Sequence, residues 1–266
     1  MKKNNTSRMS SHTSANEHTP PGIHLLDLAA DTEGIFLERP NRFRALVQIQ
    51  NARSAGQYAA HVHDPGRLRE LLYPGNPVLL RHARDTSKRK TAWDVLAARS
   101  PAGWTLIHSG FHRPIMERIF RHRSISPFPD PIAIKPEIRF GSSRLDFLIE
   151  ITNTSQIAVE TKGCSLVELG TALFPDAPTT RGTRHMNELI QARLHYGRSA
   201  VCVLVTNPSA HRFAPFAERD PEFTDTFFKA LSNGVEASAH VVEYNGRSVR
   251  YLRDIPILDR ISAFNR

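Results

Sequence analysis

Three residues have the types and spacing that metal-assisted chemistry on a phosphate ester would need: Asp146, Glu160 and Lys162. Asp146 lies in the segment RLDFLIEI, and Glu160 and Lys162 lie in IAVETKG, each interrupting an otherwise apolar run. A charge placed in such a run costs free energy unless it is paired or used. Side chains alternate across a strand, so Glu160 and Lys162 share a face, and Thr161 between them offers only its backbone carbonyl. If the two strands pair, Asp146 and Glu160 converge on a divalent cation with Lys162 beside it. Hard carboxylate oxygens suit Mg²⁺ or Mn²⁺, which would activate water while the ammonium offsets charge on phosphorus. Glu137, just before the first strand, is the favoured third carboxylate, and Glu117 on an upstream helix is the alternative. These residues alone leave open the reading that they form only a polar strand face or a salt bridge.

The segment GTALFPDAPTTRGTRHMNELI gathers Asp176, Arg181, Arg184 and His185 in a Pro-containing loop that runs into a helix. Thr183 is the expected N-cap, and the open amides of a helix start suit phosphate. A structural loop with a solvated charge cluster fits the composition equally. In the first half, Arg42, Phe43 and Arg44 combine cations with an aromatic ring, as single-strand binding favours, although Phe43 is read first as a core residue. Arg67 and Arg69 sit on an expected short helix, and Lys88, Arg89 and Lys90 form a compact basic loop suited to phosphate. His61 and His63 alternate like a metal pair, but with no third ligand in view they are read as structural.

The elements that must position these groups follow from turn signals and periodicity. Segments 34–50, 57–65, 77–84, 91–99 and 103–109 read as short strands separated by turns, with a helix over 66–72. Five strands of this spacing suit a partly open barrel of the oligonucleotide-binding (OB) type. After a helix at 113–123 and a Pro-rich linker come two strands around Gly141, then a strand at 157–163 and a helix at 183–196. A buried strand at 199–206, a helix near 221–233 and a strand at 235–244 complete an α/β domain with a mixed sheet, α+β for the whole chain. The expected division is a disordered tail at 1–22, the OB-like domain at 23–110 and the α/β domain at 111–266.

Composition sets the partners. Hydrophobic residues make up 40% of the 266 and charged residues 23%, ordinary for a globular protein. Residues 1–130 hold 19 Lys/Arg against 11 Asp/Glu, whereas 131–266 hold 16 against 15, so the excess charge sits in the first half. That half is the expected polyanion-binding surface. The two cysteines, Cys164 and Cys202, support neither a disulfide framework nor a thiolate zinc site, and a reducing cytoplasm is the expected location. No apolar stretch is long enough for a membrane span. No phosphate-cradling Gly-rich loop is present, which disfavours a sugar-metabolising enzyme.

The motifs RPNRF, HDPGRLRELL, RKT, PEIRFGSSRLDFLIE, VETKGCSLVE and LFPDAPTTRGTRHMNELI, collinear from about residue 34 to 244, resemble the sugar fermentation stimulation protein A (SfsA) family. The resemblance implies an N-terminal OB-like barrel, a PD-(D/E)xK nuclease-like domain and non-specific binding to DNA, or to RNA. It places Glu137, Asp146, Glu160 and Lys162 on the nuclease-like positions. Asp176, Arg181 and His185 fall on the family's own loop motif. His112-Arg113 stands where the family usually has Asn-Arg. The expected function is a nucleic-acid-binding protein with a metal-dependent nuclease site. The alternative is a DNA-binding regulator of sugar metabolism without turnover. Oligomeric state stays open.

Overall fold

The computed structural model describes residues 22–51, 55–83, 89, 91–141 and 143–264. Lys88, Lys90 and the expected tail up to residue 21 lie outside them.

The first strands are β1 (Ile23–Asp27), β2 (Thr32–Asn41), β3 (Arg44–Ile49), β4 (Gly56–His61), β5 (Pro77–His82), β6 (Trp93–Ser100) and β7 (Gly103–Leu106). Strands β4-β3-β2-β5-β6 run in that order, and a parallel pairing of β4 with β6 closes them into a five-stranded OB-like barrel. Closure lets one face of each strand fill the interior with Phe36, Val47, Ile49, Val78, Leu80 and Val95, all essentially buried. The expected helix over 66–72 does not form; the chain makes turns there. Leu68 takes a left-handed backbone (φ 49°), and no α-helix can pass through that conformation.

The second region continues with α1 (His112–Arg121), β8 (Ala133–Phe140), β9 (Ser143–Thr152), β10 (Ser155–Cys164), β11 (Val167–Glu168) and β12 (Thr171–Phe174). It ends with α2 (Thr180–Tyr196), β13 (Gly197–Val205), β14 (Arg212–Pro215), α3 (Pro221–Ser232), β15 (Glu236–Tyr244), β16 (Ser248–Asp254) and α4 (Arg260–Phe264). Its main sheet runs β15-β13-β10-β9-β8 and joins the barrel strands through β7, while β11, β12 and β14 form a small separate sheet. Pairing is parallel for β13 with β10 and β15, and antiparallel for β10-β9-β8. The result is the expected mixed sheet within an α+β whole.

Strand β1 precedes the barrel in sequence but pairs with β16 instead. Residues 23–27, expected within the OB-like domain, therefore pair with the second region instead. Tyr244 adds a hydroxyl donation to the carbonyl of Leu28 at 2.9 Å. Helix α1 covers one face of the main sheet through Ile115, Met116, Ile119 and Phe120. Helices α2 and α3 cover the other through Met186, Leu189, Phe223 and Phe227. Helix α2 starts earlier than expected: Thr179, not Thr183, is the N-cap, its hydroxyl accepting from the Gly182 amide at 3.0 Å.

Candidate active site

Strand register brings the chemistry-bearing residues into one row. Phe147 pairs with Pro136 and Val159, so one step along, Asp146 stands between Glu137 on β8 and Glu160 on β10. The strict alternation expected for β9 breaks there. Leu145 packs with the α2 side of the sheet and Phe147 with the α1 side. Glu137, facing the break, has a left-handed backbone (φ 53°). The Asp146 carboxylate consequently reaches Thr161, whose amide and hydroxyl both donate to Oδ2, at 2.7 and 2.5 Å. Thr161 thus uses its side chain, contrary to the expectation from alternation alone.

Glu160 is the most buried member, with its side chain 4% exposed. Its Oε1 accepts from Lys162 Nζ at 2.7 Å and from His185 Nδ1, while Oε2 is buried with no partner. Arg181 Nε lies 3.3 Å from His185 Nε2. An arginine can only donate, so Nε2 is the acceptor and Nδ1 carries the proton directed at Glu160. Burial works to raise the Glu160 carboxyl, but the Lys162 charge and the His185 hydrogen bond bring it below the ordinary carboxylate range. Asp146 goes the other way: burial first, then the Glu160 charge, lift it above its usual value despite the Thr161 bonds. Two carboxylates in this relation, one with an orphaned oxygen, form a hard-donor set that a divalent cation fits.

Glu137 stands in the row but is exposed, and Arg113 and Arg144 hold its two oxygens. Glu117 turns to Arg121 on its own helix. Asp176 does not face Glu160; its Oδ2 accepts from the amides of Arg67 at 2.6 Å and Leu68 at 3.3 Å in the barrel. Gly66 permits the approach, since a Cβ there would lie 2.7 Å from that oxygen. Arg39 completes the junction by donating to the carbonyls of Gly66, Arg67, Arg42 and Asp64. A cleft of about 410 Å³ remains between barrel and sheet, lined by Arg42, Asp64, Gly163, Asp176 and Arg181 among others. Arg67, between the lining residues Gly66 and Leu68, is exposed. Arg89, expected to contact phosphate, is held by Asp94 and Thr91.

Gly163 is a second close approach, because a Cβ there would collide with Cε1 and Nδ1 of His112. Gly163→Ala should therefore cost about 1–3 kcal/mol by overpacking. A chemical melt of Gly163→Ala against Gly163→Ala/His112→Ala checks this: the second change should recover most of the loss.

The sequence supplies the decisive comparison. Residues 110–248 match the sugar fermentation stimulation protein RE domain, and residues 37–107 match the SfsA N-terminal OB domain. The chain belongs to the sugar fermentation stimulation protein family. The motifs that implied this resemblance are thereby confirmed. A homolog from Methanococcoides burtonii is 42% identical over 235 residues, covering 88% of this chain and 94% of its own. One from Methanothermobacter thermautotrophicus is 44% identical, covering 79% and 84%. Among solved structures, Pyrococcus furiosus SfsA in complex with Ca²⁺ superposes with a TM-score of 0.79 at 28% identity, covering 89% of this chain and all of that one. Among the described residues of this SfsA-family chain, no helix is long and apolar enough to cross a membrane.

Proposed function

We propose that this SfsA-family protein binds DNA or RNA and hydrolyses phosphodiester bonds at a PD-(D/E)xK-type site, using Mg²⁺ or Mn²⁺ held by Asp146 and Glu160. The observation that carries the reading is the buried, unpartnered Oε2 of Glu160 beside the Asp146 carboxylate. An ionised oxygen in that setting is costly unless a cation shares it. The Ca²⁺ bound by the Pyrococcus furiosus relative is a hard, oxygen-seeking ion of the same class.

The bound ion would supply Lewis acidity to the scissile phosphate and ease deprotonation of water. The chain's own residues do the rest. Thr161 fixes one Asp146 oxygen, leaving the other for coordination, and His185 orients Glu160. Lys162, its side chain 11% exposed, brings a positive charge to the developing phosphorane with little solvent to screen it. Arg181, at the cleft wall, can grip a phosphate through the N–H groups that His185 does not occupy. Arg42 lines the same cleft on the barrel side and extends the basic track.

A second reading, a DNA-binding regulator without turnover, draws on Glu137, whose engagement by Arg113 and Arg144 removes a third free carboxylate. A gel assay on single- and double-stranded DNA and RNA, with Mg²⁺, Mn²⁺ or EDTA, separates the two. Product with either metal and none with EDTA is the expected result. DNA binding indifferent to EDTA with no product in any lane would favour the regulator. Independently, Mg²⁺ or Mn²⁺ at a hundred times its Kd should stabilise the fold by about 2.7 kcal/mol through mass action. A thermal melt across a metal titration measures that shift.

A further inference from the structure

His63 leaves the barrel at the end of β4, Asp94 lies on β6, and His108 follows β7. Sequence gave His63 only His61 as a companion, yet folding adds two groups from 31 and 45 residues further along. One ligand atom from each of His63, Asp94 and His108 lies within 4.8 Å of the other two. Their chemistry is that of the two-imidazole, one-carboxylate sites that hold transition metals.

We propose that His63, Asp94 and His108 form a binding site for a borderline divalent transition-metal ion of the zinc class. The site is separate from Asp146 and Glu160 and stands whether or not those residues support cleavage.

The details favour ligation over simple packing. His63 Nε2 is 3.0 Å from Asp94 Oδ1, and the His63 and His108 rings stack with centroids 3.6 Å apart and an interplanar angle of 21°. An ion lies in the plane of each imidazole that ligates it, so the His63 and His108 rings must turn out of their stack for both to reach one ion. Donor atoms on a tetrahedral zinc stand about 3.4 Å apart, so the three donors, already within 4.8 Å of one another, close on an ion by side-chain rotation without backbone movement. His108 is 9% exposed, and its Nδ1 is buried without a hydrogen-bond partner. A purely structural histidine at that depth normally satisfies both nitrogens. The His61 ring lies 4.3 Å from that of His63, in reach as a fourth ligand.

Arg89 now neutralises Asp94, donating to both carboxylate oxygens. It is the competitor of the ion, and the site fills when the guanidinium swings aside. An ion there would staple the exits of β4 and β7 to β6. It would thus brace the turn that Arg39 and Asp176 hold at the cleft.

Cobalt(II) tests the proposal, because imidazole ligation at low coordination number gives visible absorption far stronger than that of the aqueous ion. Untagged, chelator-treated full-length Asp146→Asn/Glu160→Gln protein, which lacks the other candidate site, is titrated with Co²⁺. One equivalent should give the strong band, and Zn²⁺ should bleach it. His63→Ala and the near-isosteric His108→Gln should each weaken binding at least about 100-fold, with circular dichroism confirming the fold. Arg89→Ala should instead tighten it. An aqueous-type spectrum, or a strong band unchanged by His63→Ala and His108→Gln, overturns the proposal, the latter placing the ion on other histidines. Weaker binding in Arg89→Ala overturns the competitor role and with it the site as drawn.

Discussion

Asp146→Asn should reduce metal-dependent cleavage by at least about 10³-fold while the protein stays folded and keeps its affinity for DNA. The change removes one anionic ligand at nearly constant volume. An asparagine oxygen can still accept from the Thr161 amide and hydroxyl, so the local geometry survives. It also removes the repulsion from Glu160 that, after burial, lifts the Asp146 carboxyl. The metal-free variant should therefore melt no lower than the wild type, and Mg²⁺ should no longer raise its melting temperature. Binding should persist because the basic excess lies in the first half of the chain. Lys162→Ala separates the roles further: it should retain the metal-induced shift and lose turnover, since its charge acts on the transition state. Rate assays paired with melts read both variants. Cleavage undiminished in Asp146→Asn would assign the activity to another site or a contaminant.

Arg39→Ala should be the most damaging single change to stability outside the hydrophobic cores, at about 2–4 kcal/mol. Its guanidinium donates to four backbone carbonyls, two through each terminal nitrogen, at 2.6 to 2.9 Å. None of those carbonyls lies in a helix or strand, because residue 42 is in a turn and 64–67 are bend and loop. Loss of Arg39 also leaves Asp64 and Asp176 facing each other without the cation between them. Burial, followed in part by Asp176, already raises the Asp64 carboxyl. Arg67→Ala is the matched control. Arg67 joins this junction only through its backbone amide and carbonyl, so truncating its exposed side chain should change stability by no more than about 0.5 kcal/mol. Equal losses in the two variants on urea titration would contradict the assignment.

What was legible in the sequence depended on how local its cause was. The barrel strands and the buried run of β13 follow from periodicity and turn residues, which act over a few positions. The row of Asp146, Glu160 and Lys162 was legible because charges in apolar strands are conspicuous. What escaped was set by distant partners. Leu68 adopts φ 49° while its amide is held by Asp176, a residue 108 positions away, so helical spacing there misled. Thr161 reaches Asp146 because alternation breaks opposite Glu137, and no pattern within β9 encodes that break. Thr179 displaces Thr183 as the cap, a shift of one helical turn that two neighbouring threonine-rich positions made equally plausible. Asp94 and His108 meet His63 only once the barrel has closed.

The pairing of β1 with β16 carries a consequence for synthesis on the ribosome. Every strand of the barrel, from β2 to β6, is synthesised before residue 101 and clears the exit tunnel a few tens of residues later, so the barrel can close while translation continues. The larger sheet cannot be completed so early. Its partner for β1 begins at Ser248, and the Tyr244 tether to Leu28 spans 216 positions. Contacts of such separation form late and slowly. Until then β1 is an unpaired edge ahead of a finished module, exposed to proteases and to neighbouring nascent chains on the same message. The barrel is in effect an insertion within the larger domain. Chains stalled after β6 has cleared the tunnel but before Ser248 is made should thus show a protected barrel and a cleavable N-terminal strand.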